Sequence, residues 1–365
     1  MNQFAFFPSR TMALYMVKGF LTRSLAVLAM LVIILMSLDL LRQTSDILAP
    51  PGNGSAEIMT YIGWRTPQVV AQFLPFSVLL GTLIMLATLN QNSEIVSMKA
   101  AGLSAHQILA PLVLAACGIA ALTFLFNETV LAPTSAKLSA WQAVDYGEIP
   151  RDSDIRSNVW LLDGDDLIHA ELVIGSGPSM ILKNVRVNDR SNGGLSTVIQ
   201  GKTARWIDNG WTLDDATTFS VASATTTPPS TVRFGLGVQP TSFTISSLDP
   251  DALGFSELRS AIADQRAAGR PTAGAEAAMW HKLSGPLASI LMPLLGSIAG
   301  FGLARAGKTF IRVVIGMALG FTYFVADNFS LAMGNLGAYD PFVAAWAPFF
   351  LFLLLGETVL IRSEE

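Results

Sequence analysis

Six long apolar runs, three on each side of a polar block, dominate the pattern of the chain. A helix needs roughly 20 mostly apolar residues to cross a bilayer, and every run reaches or approaches that length. Only 14% of the residues are charged, against about 25% in soluble domains. The pattern predicts a membrane α-helical bundle of six transmembrane helices, arranged three plus three. The runs cover residues 24–41, 67–89, 107–127, 283–304, 312–333 and 341–361.

The basic residues orient these spans. Only Arg42 and Arg65 lie in the short loops on one side, and eight basic residues flank the runs on the other. Basic flanks stay in the cytoplasm, so we expect both termini there. No small-residue cleavage site follows the first run, which favours a retained span over a signal peptide. The eight residues are Arg10, Lys18, Arg23, Lys99, Arg305, Lys308, Arg312 and Arg362.

The polar block has the alternation of a β-domain. Its short apolar segments are separated by Asp-Gly and Asn-Gly turns, as in a sandwich or an open barrel. Helical periodicity appears only at about 256–266, before the fourth run. The candidate strands lie at 159–162, 167–172, 181–188, 203–206 and 211–213.

Three domains follow from this order. The pattern predicts transmembrane helices one to three in residues 1–131, an inserted all-β domain in 132–280 that ends in a short helix, and helices four to six in 281–365. With both termini in the cytoplasm, the β-domain lies on the opposite side of the membrane. A long domain translocates regardless of its own charge, so its basic residues do not affect the orientation.

The loop between the second and third runs has the pattern of a short helix. Residues 92–103 read NSEIVSMKAAGL, in which Asn92 or Ser93 can cap a helix and Gly102 suits its end. Apolar residues recur every third position and give one weakly apolar face. Two interpretations stay open: a helix that docks on a cytoplasmic ATPase, or a surface helix resting on the membrane. The candidate coupling residues are Glu94, Ile95, Met98, Lys99, Ala101 and Gly102.

Few charged residues lie near the spans, and they stand near span ends. Asp39 and Arg42 are three residues apart on one helix face and can pair. Arg42 and Arg65 lie at the outer ends of the first two spans, where guanidinium groups either bind a lipid substrate's phosphates or anchor the helices at headgroups. Ionisable groups in spans are functional candidates. The substrate-binding candidates are therefore Arg42, Arg65, Asp39 and Asp327.

A literal phosphate-loop pattern occupies residues 302–309. Such a loop needs a preceding strand inside an α/β domain, whereas here two apolar runs flank it directly. We interpret Arg305 and Lys308 as headgroup anchors. The three histidines and single cysteine lack metal-ligand spacing, and the net charge of −4 gives no sign of a nucleic-acid partner. No metal or cofactor is expected.

The chain resembles the LptF/LptG permeases of Gram-negative lipopolysaccharide export, and more the G member than the F member. The resemblance covers essentially the whole layout, with residues 89–103 (LNQNSEIVSMKAAGL) as its most specific part. Supporting matches are Phe73-Leu74-Pro75, Ala132-Pro133, residues 206–213 (WIDNGWTL), His281-Lys282 with Pro286, and Arg312-Val313-Val314 with Gly316, Tyr323 and Asp327.

The resemblance implies a permease subunit without catalytic activity in the bacterial inner membrane. It implies a sister permease (LptF-like), a cytoplasmic ATPase dimer (LptB-like) that grips the loop helix around Glu94, and a single-span LptC-like protein. Lipopolysaccharide would enter between span one of one permease and span five of the other. The periplasmic β-domain would resemble an opened jelly roll that passes the lipid to a periplasmic bridge.

Two other functions compete with this one on the residues alone. A membrane-bound lipid-modifying enzyme would need a cluster of catalytic groups on one side of the membrane, and the sequence contains no such cluster. A periplasmic tethering or scaffold protein would need fewer than six spans. Both alternatives are less consistent with the pattern than a permease.

Overall fold

The computed structural model describes most of the chain. The described residues are 9–143, 145–147, 155–164, 166–175, 177–190, 194–207, 210–221, 223–240, 243, 250–267, 271–297, 301 and 309–362. The phosphate-loop pattern at 302–309, with Arg305 and Lys308, therefore lies outside the described residues except for the backbone of Thr309. The turn expected near 208–209 also lies outside them.

Helices form the two ends of the chain. The third long helix passes through a π-helical turn, Asn127–Leu131, into α5. The helices are α1 (Arg10–Ile47), α2 (Ser55–Gln91), α3 (Glu94–Ala100), α4 (Ala105–Phe126), α5 (Ala132–Ala143), α6 (Phe255–Ala267), α7 (Ala273–Gly296), α8 (Thr309–Asn335) and α9 (Pro341–Arg362).

Within the described residues, five helical segments are long and apolar enough to cross a membrane. They are α1, α2, the continuous Ala105–Gln142, α8 and α9. The span predicted at 283–304 begins inside α7 and continues into residues beyond the described part. The helical membrane architecture with an inserted β-domain is confirmed.

The chain divides into two compact units. The helical unit comprises Met1–Arg42, Arg65–Pro133 and Leu253–Glu365, and the sheet unit comprises Gln43–Trp64 and Thr134–Ala252. In the helical unit, α7 packs on α4, α8 and α9. Its buried cluster draws side chains from the long helices and from α3, so one core holds the helical unit together.

Small residues let helices of this unit approach closely. A Cβ built on Gly81 of α2 would lie 2.2 Å from Ser24 Oγ and 2.7 Å from the Ser24 backbone of α1. A Cβ on Gly320 of α8 would lie 2.1 Å from the Leu79 side chain of α2. Helices in a bilayer associate by van der Waals packing rather than by the hydrophobic effect, which is why their interfaces favour small residues.

The sheet unit contains one open antiparallel sheet in sequential order, β1 to β6, with β7 paired to β5. The predicted strands are confirmed. The strands are β1 (Ile155–Asp163), β2 (Asp166–Ile174), β3 (Ile181–Asp189), β4 (Thr197–Ile207), β5 (Gly210–Ser220), β6 (Thr225–Thr226) and β7 (Ser230–Phe234).

Trp211 lies at the centre of the sheet unit's apolar core. It is fully buried, its Nε1–H donates to the Val238 carbonyl at 2.9 Å, and its ring meets Phe243 edge to face with centroids 5.0 Å apart. A buried indole N–H needs such a partner. One sheet face therefore carries the core, and the other face remains available for contacts.

Gly81→Ala should destabilise the helical unit by about 1–3 kcal/mol, because the added methyl overlaps the Ser24 backbone and α1 must shift. Gly118→Ala on α4 is the matched control, since a Cβ there meets nothing within 4 Å. Thermal denaturation of both variants in detergent checks this expectation. Equal stability of the two variants would contradict the close α1–α2 contact.

Candidate functional site

Backbone geometry at both ends defines α3, the candidate coupling helix. Ser93 precedes the helix with φ 60°, and its side chain makes no capping hydrogen bond. At the other end, Gly102 has φ +88°; its N–H donates to the Lys99 carbonyl, and the Leu103 N–H donates to the Met98 carbonyl. This pair of bonds is a Schellman motif, which requires the left-handed conformation that glycine adopts at no steric cost.

The helix is shorter than the predicted 92–103; Ser93, one of the two predicted caps, occupies the N-cap position but makes no side-chain capping bond. A residue in the left-handed region cannot aim its hydroxyl at the first free N–H groups, since a capping residue normally has extended backbone. Asn92 instead directs its amide to Glu94 Oε1 at 3.3 Å. The role predicted for Gly102 at the helix end is confirmed.

The inner face of α3 packs into the helical core. Ile95 is 3% exposed and belongs to the buried cluster of the helical unit, against which Met98 also packs. The Lys99 ammonium lies 5.3 Å from the ring centroid of Phe301, within the range of a cation–π contact. These contacts make α3 part of the bundle rather than a loosely resting surface helix.

Glu94 connects α3 to the first span. The Tyr15 hydroxyl of α1 donates to Glu94 Oε2 at 3.1 Å and to Oε1 at 3.4 Å. Sequence reasoning missed Tyr15, because 79 positions separate the partners and no periodic pattern relates them. Only the packing of α1 beside α3 brings the two side chains together.

The outer face of α3 carries three side chains outside the candidate coupling residues, together with the candidate Ala101. Val96 is 51% exposed, and Ser97, Ala100 and Ala101 are also exposed. Ala101 was expected to share a weakly apolar face with Ile95 and Met98, but Ala101 is exposed whereas Ile95 is buried. The helix ends at Ala100, so the three-residue spacing from Ile95 and Met98 no longer places residue 101 on their face.

The candidate residues at the outer ends of the first two spans, Asp39, Arg42 and Arg65, are called here the rim residues. They pair differently from the predicted Asp39–Arg42 contact. Arg65 donates from Nε to Asp39 Oδ2 at 3.2 Å and from Nη2 to Oδ1 at 3.5 Å. Arg65 Nη1 also donates to Gln68 Oε1 at 2.5 Å. Arg42 is exposed. The Asp39–Arg65 pair joins α1 to α2 and holds one of the two candidate guanidinium groups away from open solution.

Asp327 lies inside α8 and is paired across the bundle. Its Oδ2 is 3.0 Å from His281 Nε2 of α7, and its side chain is only 13% exposed. A comparable pair joins His106 of α4 to Glu357 of α9 at 3.3 Å. Ionisable groups in spans are expected to pair with one another. Asp327 is thus an interhelical contact rather than a terminal cap.

Across the described ranges, no group of three or more His, Cys, Asp or Glu side chains could hold a metal ion. Glu128 accepts hydrogen bonds from the Phe255 N–H at 2.8 and 2.9 Å. The Glu128 carboxylate therefore accepts the first N–H group of α6 rather than holding an ion.

The long apolar helices, the inserted sheet and the short helix anchored between two spans define an integral membrane permease. Residues 14–362 match the family model described as lipopolysaccharide export system permease LptF/LptG. The match covers nearly the whole chain, so the chain belongs to this family of lipopolysaccharide export permeases.

Curated relatives in this family cover similar lengths. The chain is 26% identical over 346 residues to the lipopolysaccharide export system permease protein LptG of Escherichia coli K12, covering 92% of this chain and 94% of the relative. It is 24% identical over 323 residues to the LptG protein of Haemophilus influenzae, covering 86% of this chain and 89% of the relative. The similarity therefore includes both the helices and the inserted sheet.

A double-mutant cycle tests the rim pair. Asp39→Asn combined with Arg65→Gln should give a coupling energy of about 0.5–1 kcal/mol, because the pair is partly exposed and screened. Arg42→Gln replaces Arg65→Gln in the control cycle and should give a smaller value. Urea or thermal denaturation in detergent provides the free energies. Larger coupling in the control cycle would show that Asp39 pairs with Arg42 instead.

Proposed function

We propose that the chain is an LptG-type permease subunit of the bacterial inner membrane that moves lipopolysaccharide using ATP hydrolysed by a separate cytoplasmic subunit. Both termini and α3 face the cytoplasm, and the β-domain faces the periplasm. The two curated relatives described above are both LptG proteins, which supports the LptG assignment. The observation that carries the coupling role is the two-sided character of α3, anchored on its inner face and exposed on its outer face.

The anchored face explains how motion would reach the spans. Ile95 shares the buried cluster with residues of α2, α4 and α7, and Glu94 bonds to Tyr15 of α1. A force applied to the outer face of α3 is then borne by several packed helices. Packed cores move as units rather than deform continuously, so displacement of α3 would shift the helices around the substrate path.

The least buried spans support lateral access for a lipid. In the most apolar windows of α1 and α8, only 17% of residues are buried, against 41–50% in α2, in Ala105–Gln142 and in α9. Large apolar side chains stand exposed along both helices, among them Ile33, Leu41, Phe310 and Phe321. We propose that these faces meet a sister permease and the acyl chains of the substrate, with an LptC-like span at the same gate.

The rim residues would meet the anionic headgroup. Arg42 is exposed and available to a lipid phosphate, whereas Arg65 must first leave Asp39. We propose Arg42 as the primary contact and Asp39–Arg65 as a pair that opens when a phosphate competes for the guanidinium. A bidentate guanidinium–phosphate contact provides the geometry for this exchange.

The two faces of α3 predict opposite phenotypes. Val96→Asp should reduce co-purification with the ATPase by about tenfold or more, equivalent to about 1.4 kcal/mol, with unchanged thermal stability, because Val96 is exposed. Ile95→Asp buries an unpaired charge and should lower the melting temperature. Affinity purification and thermal denaturation distinguish them. Normal ATPase binding by a folded Val96→Asp variant would exclude the outer face as the docking surface.

A second test at Glu94 separates the effect of its charge from the effect of its hydrogen bond to Tyr15. Glu94→Arg should weaken ATPase binding by about tenfold through charge reversal, while the protein still inserts. Tyr15→Phe retains the Glu94 charge and removes only the hydrogen bond to it, so binding should stay within about twofold. Quantitative co-purification in mild detergent measures both. A binding loss with Tyr15→Phe as large as with Glu94→Arg would assign Glu94 a purely internal role.

A further inference from the structure

In the four adjacent strands β2 to β5, the alternation of side chains between the two sheet faces is interrupted. The interruptions lie side by side across the strands. Side chains normally alternate between faces, so core positions recur every second residue. Here two core-side positions stand three residues apart in each of β2 to β5, with two residues between them instead of one; in β2 the second of those two residues, Leu172, is itself buried. The successive core positions are Ala170 and Val173, Leu182 and Val185, Gly201 and Ala204, and Leu213 and Ala216.

The extra residues align because the strands keep their register. Ala170 lies opposite Val185, and Leu172 lies opposite Lys183, which places Glu171 level with Asn184. Asn184 has φ 49° and Asp215 has φ 54°, a backbone region uncommon outside glycine. Such conformations cluster at functional sites, where surrounding structure maintains them. The row at this level consists of Glu171, Asn184, Lys202 and Asp215.

A second polar row crosses the same face beside the first. Successive register pairs run from Trp160 to His169, Arg186, Gln200 and Thr217 across β1 to β5. The Trp160 and His169 rings lie 4.2 Å apart at 31°, and Trp160 remains 44% exposed. Burial and the nearby Arg186 charge lower the pKa of His169, which favours a neutral ring stacked on the indole.

The two rows line an open cavity of about 690 Å³, within the roughly 300–1,000 Å³ range of small-molecule sites. The Asn184 amide donates to Glu171 Oε2 at 2.7 Å. With its amide oxygen facing Arg186, Gln200 accepts from the guanidinium at 2.5 and 2.8 Å. The site thus combines an aromatic surface with fixed carboxylate, amide and cationic groups, on the sheet face opposite the apolar core.

We propose that this cavity binds a sugar of the exported lipid, an inference that rests on the function proposed above. The indole of Trp160, stacked on the His169 ring and still partly exposed, offers an apolar surface to the C–H face of a sugar ring. Glu171, Asp215 and Asn184 can exchange hydrogen bonds with its hydroxyls. Lys202 adds a cation for a phosphate or carboxylate substituent.

Binding is tested with the full chain in lipid nanodiscs and the phosphorylated oligosaccharide released from purified lipopolysaccharide by mild acid. Saturation-transfer NMR should detect binding to the wild-type chain, with a Kd of about 1 mM or tighter. Trp160→Ala should raise the Kd by about tenfold. Phe219→Ala is the matched control, because Phe219 is an exposed aromatic on β5 outside the cavity lining and should leave the Kd unchanged.

Lys202→Ala provides a second variant that leaves the core untouched, since Lys202 is exposed. It should weaken binding of the phosphorylated oligosaccharide more than binding of neutral maltoheptaose, a probe for free soluble glycans. Absence of wild-type binding, or equal Kd values for wild type, Trp160→Ala and Lys202→Ala, would overturn the proposal. Tighter binding of maltoheptaose than of the phosphorylated oligosaccharide would overturn the assignment to the exported lipid.

Transport measured separately keeps the two proposals distinguishable. ATP-dependent release of lipopolysaccharide from proteoliposomes containing the assembled complex tests the permease function. Release without oligosaccharide binding by the wild-type chain would refute only the sugar site. Oligosaccharide binding lost in Trp160→Ala, together with no release by the wild type, would refute the transport role while the cavity still binds sugar.

Discussion

The burial of Ile95 in the helical core is the contact on which the coupling argument depends. A seven-residue helix is too short to be stable in isolation, because helix nucleation is costly and short helices gain few hydrogen bonds. Its position therefore comes from tertiary contacts: Ile95 and Met98 in the core, Glu94 on Tyr15, and the Gly102 turn. A helix fixed in this way can pass a displacement to the spans around it.

Polar contacts between the long helices have a different physical role. Pairs such as Asp39–Arg65 and His281–Asp327 join helices that are distant in sequence. An unpaired ionisable group in a span is costly, so each pair favours one relative arrangement of its helices. In the function proposed above, the Asp39–Arg65 pair would exchange partners when a lipid phosphate competes for the guanidinium, which would connect the packing of the bundle to the substrate.

The sheet unit carries an apolar core on one face and a polar cavity on the other. The core around Trp211 needs inward apolar side chains, and the aligned irregularity across β2 to β5 places additional polar side chains on the opposite face. A single irregular strand would disturb its neighbours, but matched irregularities preserve the register on both sides. The result is a polar cavity next to an intact apolar core.

The sequence by itself determined the layout of spans, the inserted β-domain, a helix in the loop between the second and third spans and the glycine at its end. Hydrophobic periodicity and turn residues are local signals, so they are readable along the chain. The tertiary structure alone decided that the Tyr15 hydroxyl donates to Glu94, that Arg65 rather than Arg42 donates two hydrogen bonds to Asp39, and that Val96 and Ala101 are both exposed. These outcomes depend on how separate helices pack and on whether α3 ends at residue 100 or one residue later. No local pattern contains that information, because the partners lie far apart in the chain.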